Sequence, residues 1–501
     1  MIDGRTPVIV GVGQASQRPD QPDAALEPID LLAQAARAAH ADAGGTRDLA
    51  VDTVAVAAML SWKYPDPGAL VARRLGIAPR RTLLSTVGGN SPQLLLNELA
   101  DAISRGETDV ALIGGAECMF TRLRARKEPR ADLGWTVAHD PPCPNLLGDD
   151  RPGSSPYEMA HLAVAPTQVY PLFETALRAA AGRSVAEHQA ATAELWSSFA
   201  AVAATNPHAW SRTAYSADEI ATPGPDNRMV TFPYTKRMCA NIQVDQAAAF
   251  LVCSYAAARA AGVADDRMVF PRAGAEAHDR YFFTNRDTLH ASPAIAAATT
   301  AGLDAIGAGV DDIARFDLYS CFPSAVQIAM GALGLEGPGA GDSRPLTVTG
   351  GLAFAGGPGN SYVSHSIAAM VQACRGDPGS LGLVTALGWY VTKHAVGVYS
   401  TEPGTGFCRT DRDATQARLD GLAGRDVAGL HTGAATVEAT SVGFERDGTP
   451  AHAILSLLTD DGRRALANCR DADVLRDMTE TPWEGRRVEL RADDDSNILV
   501  T

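Results

Sequence analysis

Short apolar runs alternate with longer amphipathic stretches in two parts of the chain, residues 7–118 and residues 270–399. The apolar runs have the length of buried strands, and the stretches between them have the spacing of helices. In the first part, the predicted strands are "PVIVGVGQ", "VDTVAVAAML" and residues 83–87, and the predicted helices cover residues 28–43 and 69–75. Strands that alternate with helices are typical of α/β layering.

Residues 120–239 interrupt this alternation. They mix helical and loop patterns, are rich in proline between residues 140 and 156, and contain one long predicted helix near residues 184–205. Such a segment between two α/β parts indicates an insertion.

The C-terminal part has a third pattern. Three predicted strands are joined at Asp447-Gly448 and Asp461-Gly462, which are both strong hairpin signals. A short predicted helix at residues 471–478 and the predicted strand "RRVELRA" follow. Several short strands at this spacing predict a small antiparallel β-barrel.

A weak internal repeat connects the two α/β parts. Residues 88–115 and residues 356–389 both begin with glycines and Asn-Ser at the start of an apolar helix, continue to an Arg-Gly stop, and end in a buried strand. The same supersecondary unit occurring twice indicates a duplicated α/β fold.

Composition and charge narrow the function classes. A net charge of −15 argues against nucleic acid or an anionic membrane as the main partner. No apolar run reaches about 18 residues, so we expect no membrane span. The N-terminus lacks a secretory pattern, and the eight scattered cysteines have no metal-binding spacing. We therefore expect a cytoplasmic protein with reduced thiols and no metal.

The stretch "STVGGNSPQLLL" at residues 85–96 has the form of a site for a nucleophile or an anion. A strand runs into two glycines, and a helix follows. However, the stretch contains no Cys, Lys or His, and Ser91 before Pro92 is typical of a helix N-cap.

Two further strings carry a family resemblance, "GGAECM" at residues 114–119 and "FPYTKRMCANIQVDQAAA" at residues 232–249. Together with the duplicated halves, they resemble the thiolase superfamily over residues 5–400. The closest resemblance is to the thiolase-like protein type 1 group, which is related to sterol carrier protein thiolases and has an extra C-terminal β-barrel. This implies a duplicated thiolase fold, layered α-β-α-β-α, with a helical and loop insertion and a small antiparallel, OB-like barrel.

The resemblance also implies domain boundaries. We expect an N-terminal thiolase half from residues 1–119 and 240–268, a loop domain at 120–239, a C-terminal half at 269–405, and the barrel at 410–501.

The positions that carry thiolase chemistry can be compared one by one. The resemblance places the nucleophilic Cys at Gly89, the Asn or His of the oxyanion hole at Tyr319, the turn His at Gly357, and the acid/base Cys at Ala386. At none of these four positions does the chain carry the residue type that thiolase chemistry requires. Because the covalent route has no first step without a nucleophile, we expect neither thiolysis nor Claisen condensation.

The scaffold still suggests a ligand. A CoA site needs cations for the phosphates and a dry channel for pantetheine. The basic run "TRLRARKEPR" at residues 121–130 is the densest in this acidic chain. Six candidate CoA-binding residues follow, namely Arg124, Arg126, Lys127, Lys236, Arg237 and Asn241. We therefore expect CoA or acyl-CoA as the ligand, with a role in lipid metabolism and no tightly bound cofactor.

An enzyme of the acyltransferase superfamily with different chemistry is the alternative. Thiolase-like steroid side-chain aldolases resemble this chain in placing tyrosines near the site. Tyr319 and His365 are the alternative catalytic candidates, with Cys321, Tyr362 and Lys393-His394 expected nearby. They would support an acyltransferase-like or retro-aldol C–C lyase reaction on a CoA thioester. Whether the chain is an enzyme stays open at this point.

Thiolases generally dimerise through the strand before the nucleophile, here residues 81–87. The fused barrel and the altered site favour a monomer, with a homodimer as the alternative.

Overall fold

The computed structural model describes residues 2–45, 49–128, 132–337 and 344–500. Many helices begin where the sequence signals a start. Proline occupies the first turn of the helices that begin at Pro28, Pro67 and Pro293, since it needs no hydrogen-bond partner there. Reciprocal capping boxes at Ser155 and Ser184 start two helices of the insertion.

The helices are distributed over the whole described chain. They are α1 (Pro28–Asp42), α2 (Pro67–Leu75), α3 (Ser91–Ser104), α4 (Met119–Ala125), α5 (Pro156–Ala160), α6 (Pro166–Ala180), α7 (Val185–Thr205), α8 (Ala217–Ala221), α9 (Tyr255–Ala260), α10 (Pro293–Asp304), α11 (Pro323–Leu333), α12 (Gly351–Phe354), α13 (Tyr362–Gly376), α14 (Arg412–Asp420) and α15 (Ala472–Glu480).

The strands form three sheets. They are β1 (Pro7–Ser16), β2 (Thr53–Val56), β3 (Arg81–Ser85), β4 (Val110–Cys118), β5 (Leu146–Leu147), β6 (Met229–Phe232), β7 (Tyr234–Thr235), β8 (Asp245–Ser254), β9 (Phe270–His278), β10 (Ile313–Asp317), β11 (Leu381–Gly388), β12 (Lys393–Ser400), β13 (Cys408–Arg409), β14 (Gly433–Phe444), β15 (Pro450–Thr459), β16 (Arg464–Cys469), β17 (Arg487–Asp493) and β18 (Ser496–Leu499).

The two α/β parts form a five-layered arrangement. The first sheet has the order β1-β8-β4-β2-β3-β5, and the second has the order β10-β11-β12-β9-β13. Helices α3 and α13 contact each other and both sheets, while α1 packs on the outer face of the first sheet and α10 on that of the second. Leu95, Leu99 and Val371 in the central layer are fully buried. This confirms the predicted α-β-α-β-α layering, with α3 and α13 as the repeated helix.

The C-terminal strands close on themselves. Strand β14 pairs with β15, β15 with β16, β16 with β18, β18 with β17, and β17 with β14. The two hairpins form at the predicted Asp-Gly turns. Strand β18 was not predicted, because its few residues carry no clear alternation.

Strands β6 and β7 come from the predicted insertion but join the C-terminal sheet, where Phe232 pairs with Val442 of β14. The sequence contains no sign of the pairing between β6 and β14, because these strands are about 200 residues apart and neither has a distinctive pattern.

The edge of the first sheet is covered by the chain itself. Strand β3 pairs with β2 on one side and with the two-residue strand β5 on the other, with Leu84 opposite Leu146. The side chain of Asn145 also donates to the backbone oxygen of Thr82, at 2.9 Å. The strand that the thiolase resemblance implies for dimerisation therefore already has a partner on both sides.

From this coverage we expect a monomer in solution. An uncovered strand edge is a ready template for pairing with another chain, and β5 removes that template over Leu84 and Ser85. Light scattering coupled to size exclusion should give the mass of one chain at micromolar concentration. A mass of two chains, independent of concentration, would contradict this prediction.

Across the part of the chain that the structure describes, no helix combines the length and the apolar character needed to cross a bilayer.

Candidate functional site

The glycine turn before α3 is held by the second half of the repeat. The Gly88 N–H donates to the side-chain oxygen of Asn360 at 2.9 Å, and the Asn360 amide donates to the Ala58 oxygen at 2.7 Å. Asn360 lies two residues before α13, so the two repeated glycine turns lie side by side at one end of the central helices.

The expected role of Ser91 is wrong. Asn90 occupies the N-cap position of α3, and Ser91 is the first helical residue. Its hydroxyl donates to the Thr86 oxygen at 3.0 Å, and the residue is only 2% exposed. Ser91 therefore stabilises the turn from inside and is not presented to a substrate.

The space beside Gly89 is already occupied. A Cβ atom at this position would lie 2.2 Å from the Tyr319 hydroxyl oxygen and 2.5 Å from the backbone oxygen of Leu387. Real Cβ atoms do not approach other atoms so closely. The Tyr319 hydroxyl thus fills the volume into which any side chain of residue 89 would project, and Leu387, next to Ala386, closes it from β11.

Tyr319 is fixed at its backbone but free at its hydroxyl. Its N–H donates to the Thr385 hydroxyl at 2.9 Å, and its ring packs edge-on against Tyr362 at a centroid distance of 5.7 Å. The hydroxyl makes no hydrogen bond to any residue that the structure describes. The expected proximity of Tyr319 and Tyr362 is therefore correct.

Burial keeps the acidic groups of this site neutral. It raises the pKa of Tyr319 well above its usual value, with a smaller contribution from Cys321. Burial likewise raises the pKa of the Cys321 thiol to about 12. Near neutral pH the site therefore offers a hydroxyl and a thiol, and neither a phenolate nor a thiolate.

The Gly357 turn is bonded to the segment that leads into β8. The Gly357 N–H donates to the Asn241 oxygen at 2.9 Å, and the Asn241 N–H donates to the Leu352 oxygen at 3.0 Å. The neighbouring Ala240 N–H donates to the Cys321 oxygen at 3.0 Å. Asn241 therefore connects the Gly357 turn with the loop that carries Tyr319 and Cys321.

His365 does not join Tyr319. Its Nδ1 atom lies 2.7 Å from the side-chain oxygen of Gln14 in β1. Burial lowers the pKa of His365 to about 3, and His208 contributes less. The imidazole is therefore neutral near pH 7 and is bonded to β1 of the first sheet.

Lys393 and His394 are likewise bonded to groups other than Tyr319. The Lys393 ammonium donates to the backbone oxygens of Val87 and Asp149, at 2.6 and 3.0 Å. These bonds fix the end of the strand that leads into the glycine turn. Burial lowers the pKa of Lys393 to about 8, while the charge of Asp149 opposes this. His394 is buried beside Asp279 and Ser292.

The predicted cations differ in whether their side chains already have hydrogen-bond partners. Both terminal nitrogens of Arg124 donate to backbone oxygens, those of Pro19 and Asp20, and Arg237 donates to the Glu219 oxygen while lying over the Tyr215 ring. The exposed cations of the set are Arg126, Lys127 and Lys236. Residues 129 and 130, which end the basic run, lie outside the described residues.

Within the described ranges, no three His, Cys, Asp or Glu side chains are grouped so that they could hold a metal ion.

Comparison with known proteins identifies the family. A family model described as the thiolase-like protein type 1 additional C-terminal domain matches residues 415–495. A monomeric SCP2-thiolase-like protein type 1 from Mycobacterium smegmatis is 34% identical, with both chains covered over 100% of their length and a TM-score of 0.85. The chain belongs to the SCP2-thiolase-like protein type 1 family.

More distant structures share the thiolase fold of this family. The Ltp2–ChsH2(DUF35) aldolase is 18% identical over 79% of this chain and 98% of that chain, with a TM-score of 0.59. The dimeric peroxisomal thiolase of Saccharomyces cerevisiae is 14% identical over 80% and 99%, with a TM-score of 0.56. At these identities the likeness concerns the fold alone. No curated protein sequence matches the chain significantly.

In this member of the type 1 family, the structure also brings together residues that the sequence did not single out. Trp210 packs edge-on against Phe120 at a centroid distance of 5.5 Å, and Arg18 lies over the Trp210 ring. The backbone N–H of Trp210 donates to the backbone oxygen of Ala355, two residues before Gly357. No spacing rule connects Arg18, Phe120 and Trp210, because each lies in a different segment of the chain.

Proposed function

We propose that this SCP2-thiolase-like protein binds CoA or acyl-CoA between its two halves and its insertion, without catalysing thiolysis or Claisen condensation. One contact supports the absence of thiolysis above all. The Tyr319 hydroxyl occupies the volume beside Gly89, where the thiolase resemblance implies the nucleophile. Without that nucleophile the acyl-enzyme route has no first step.

The surroundings of the glycine turn support a retained ligand site. We place the entry path for the ligand along the Asn241 segment, which joins the Gly357 turn to the Tyr319 loop. Exposed Arg126, Lys127 and Lys236 supply positive charge in a chain of net charge −15. Cations suit phosphates, and their contribution weakens as salt screens it.

Titration calorimetry tests this proposal. We expect micromolar binding of CoA and acyl-CoA that weakens at higher salt, because the phosphates meet partly exposed cations. ATP serves as a control of similar charge that lacks pantetheine, and we expect it to bind more weakly. Acetoacetyl-CoA with free CoA should give no thiolysis. Absence of heat for every CoA ester would contradict the proposal.

A second function is favoured by the unpaired Tyr319 hydroxyl. A neutral, buried tyrosine can donate a proton to the enolate that forms when the Cα–Cβ bond of a β-hydroxyacyl-CoA breaks. A neighbour at 18% identity is named an aldolase. The proton lost from the substrate's β-hydroxyl would replace the one that Tyr319 donates, so this retro-aldol step would release an aldehyde or ketone and a shortened acyl-CoA with no net change in protons.

The variant Tyr319→Phe separates the two functions. The binding function predicts that its affinity for acyl-CoA stays within about twofold of wild type, with no cleavage product from either protein. The lyase function predicts a cleavage rate that falls about 10²–10⁴-fold in the variant, as for loss of a general acid. Mass spectrometry of β-hydroxyacyl-CoA mixtures gives both readouts.

A further inference from the structure

Four side chains form a cluster at the surface beside the Gly357 turn, here called the Trp210 rim: Arg18, Phe120, Arg124 and Trp210. The Trp210 ring contacts Phe120, and the Arg124 guanidinium lies 5.3 Å from the Phe120 centroid. Backbone hydrogen bonds from Trp210 and Ser211 to Ala355 and Phe354 attach this rim to the segment that leads into Gly357. The rim therefore adjoins the proposed entry path at Asn241.

Arg18 is the free cation of the Trp210 rim. Its guanidinium carbon lies 4.0 Å from the centroid of the Trp210 ring, and the side chain is exposed. It has no hydrogen bond or ion pair to any residue in the described ranges. A guanidinium held over an indole keeps its donors in its own plane, where a phosphate can accept two of them.

Arg124 has a different role in the rim. Its two terminal nitrogens donate to the Pro19 and Asp20 oxygens, both at 2.7 Å, so these donors are already used. These bonds fix the chain directly after Arg18. Arg124 is thus a positioning residue for the loop that carries Arg18.

We propose that Arg18, held over Trp210, binds the phosphates at the nucleotide end of CoA. The site would then select a nucleotide-bearing thioester over a thioester of pantetheine alone. This inference rests on the proposed function and assigns the phosphate contact to a residue outside the basic run of residues 121–130.

The test compares two ligands that share pantetheine and differ in the nucleotide. CoA and pantetheine are titrated into wild type and into Arg18→Ala, with Arg446→Ala as the matched control. Arg446 is an exposed arginine in the hairpin between β14 and β15, and it has no hydrogen bond or ion pair to a described residue. Circular dichroism checks that each variant is folded.

We expect Arg18→Ala to raise the dissociation constant of CoA about tenfold to a hundredfold, as for loss of a charge-assisted hydrogen-bond pair. The dissociation constant of pantetheine should not change, and Arg446→Ala should change neither. Arg18→Lys should give an intermediate loss for CoA, since it keeps the charge without the planar fork. Trp210→Leu should weaken CoA and spare pantetheine, because it removes the ring that holds Arg18.

Three outcomes overturn the inference in different ways. If wild type binds CoA and Arg18→Ala binds it equally well, the phosphate contact is elsewhere and the proposed function stands. If Arg18→Ala weakens CoA and pantetheine equally, Arg18 acts on the shape of the path and not on the nucleotide. If wild type binds no CoA, the proposed function fails and the inference fails with it.

Discussion

Gly89→Ala is expected to lower the free energy of unfolding by about 3 kcal/mol, at the upper end of the usual cost of overpacking. The added methyl would meet the Tyr319 hydroxyl at 2.2 Å and the Leu387 oxygen at 2.5 Å. The second contact is the backbone of β11, where Leu387 pairs with His394 of β12, so it cannot move away cheaply. Urea unfolding followed by tryptophan fluorescence measures the change.

Gly357→Ala is the matched control. There a Cβ atom would meet its neighbours at 3.4 to 3.6 Å, which is ordinary contact. We expect a change within about 1 kcal/mol, since Gly→Ala at a compatible position also removes entropy from the unfolded chain. Equal costs for the two variants would contradict the account of the Gly89 space.

The same contact predicts coupling between residues 89 and 319. In a double-mutant cycle with Tyr319→Ala, the cost of Gly89→Ala should fall by about 1–2 kcal/mol, because one of its two close contacts is gone. The remainder should persist, since the Leu387 oxygen is unchanged. A cycle with no coupling would place the Tyr319 hydroxyl elsewhere in solution.

Because the Tyr319 hydroxyl fills the space beside residue 89, Gly89→Cys should not restore thiolysis.

Arg464→Met is expected to cost about 3–5 kcal/mol, the range for removing one partner of a buried ion pair. Arg464 is fully buried in β16 and donates to both carboxylate oxygens of Glu438, at 2.7 and 2.8 Å. It also donates to backbone oxygens of Phe283, Thr284, Arg286 and Asp287. It therefore joins the C-terminal sheet to the C-terminal thiolase half.

Arg487→Met provides the comparison. Arg487 in β17 makes a two-pronged ion pair with Asp460, but the side chains are 56% and 68% exposed. An exposed pair of this kind contributes about 0–1 kcal/mol. If both substitutions cost the same, Arg464 does not hold the two parts together. Limited proteolysis of Arg464→Met should also cut the C-terminal part sooner than in wild type.

Much of the architecture could be predicted because it depends on local chemistry. The strand periods and the two Asp-Gly hairpins act within a few residues, and the structure confirms them. The repeat of a glycine turn and an apolar helix led to the duplicated fold. The family resemblance followed from two short strings of residues, and the comparisons confirm it.

The predictions from the sequence that failed depend on contacts between residues far apart in the chain, or on small differences between neighbouring residues. Asn90 and Ser91 are both good N-cap residues, and only the turn geometry decides that Ser91 donates to Thr86 instead. His365 was expected beside Tyr319 but pairs with Gln14, some 350 residues away in the chain. The phosphate, CoA and lyase assignments stay predictions, and the experiments above test them.

The sequence by itself determined that position 89 is a glycine, that a strand, a turn and a helix surround it, and that the unit occurs twice. These properties are local, since a residue and its near neighbours decide them. Only the tertiary structure decided that the Tyr319 hydroxyl fills the space at Gly89 and that β5 covers β3. It also decided that Arg124 is bound to its own chain, while Arg18 has no hydrogen bond or ion pair among the described residues. Those facts depend on packing between segments that are far apart in the chain, where close approach is governed by shape and leaves no periodic signal.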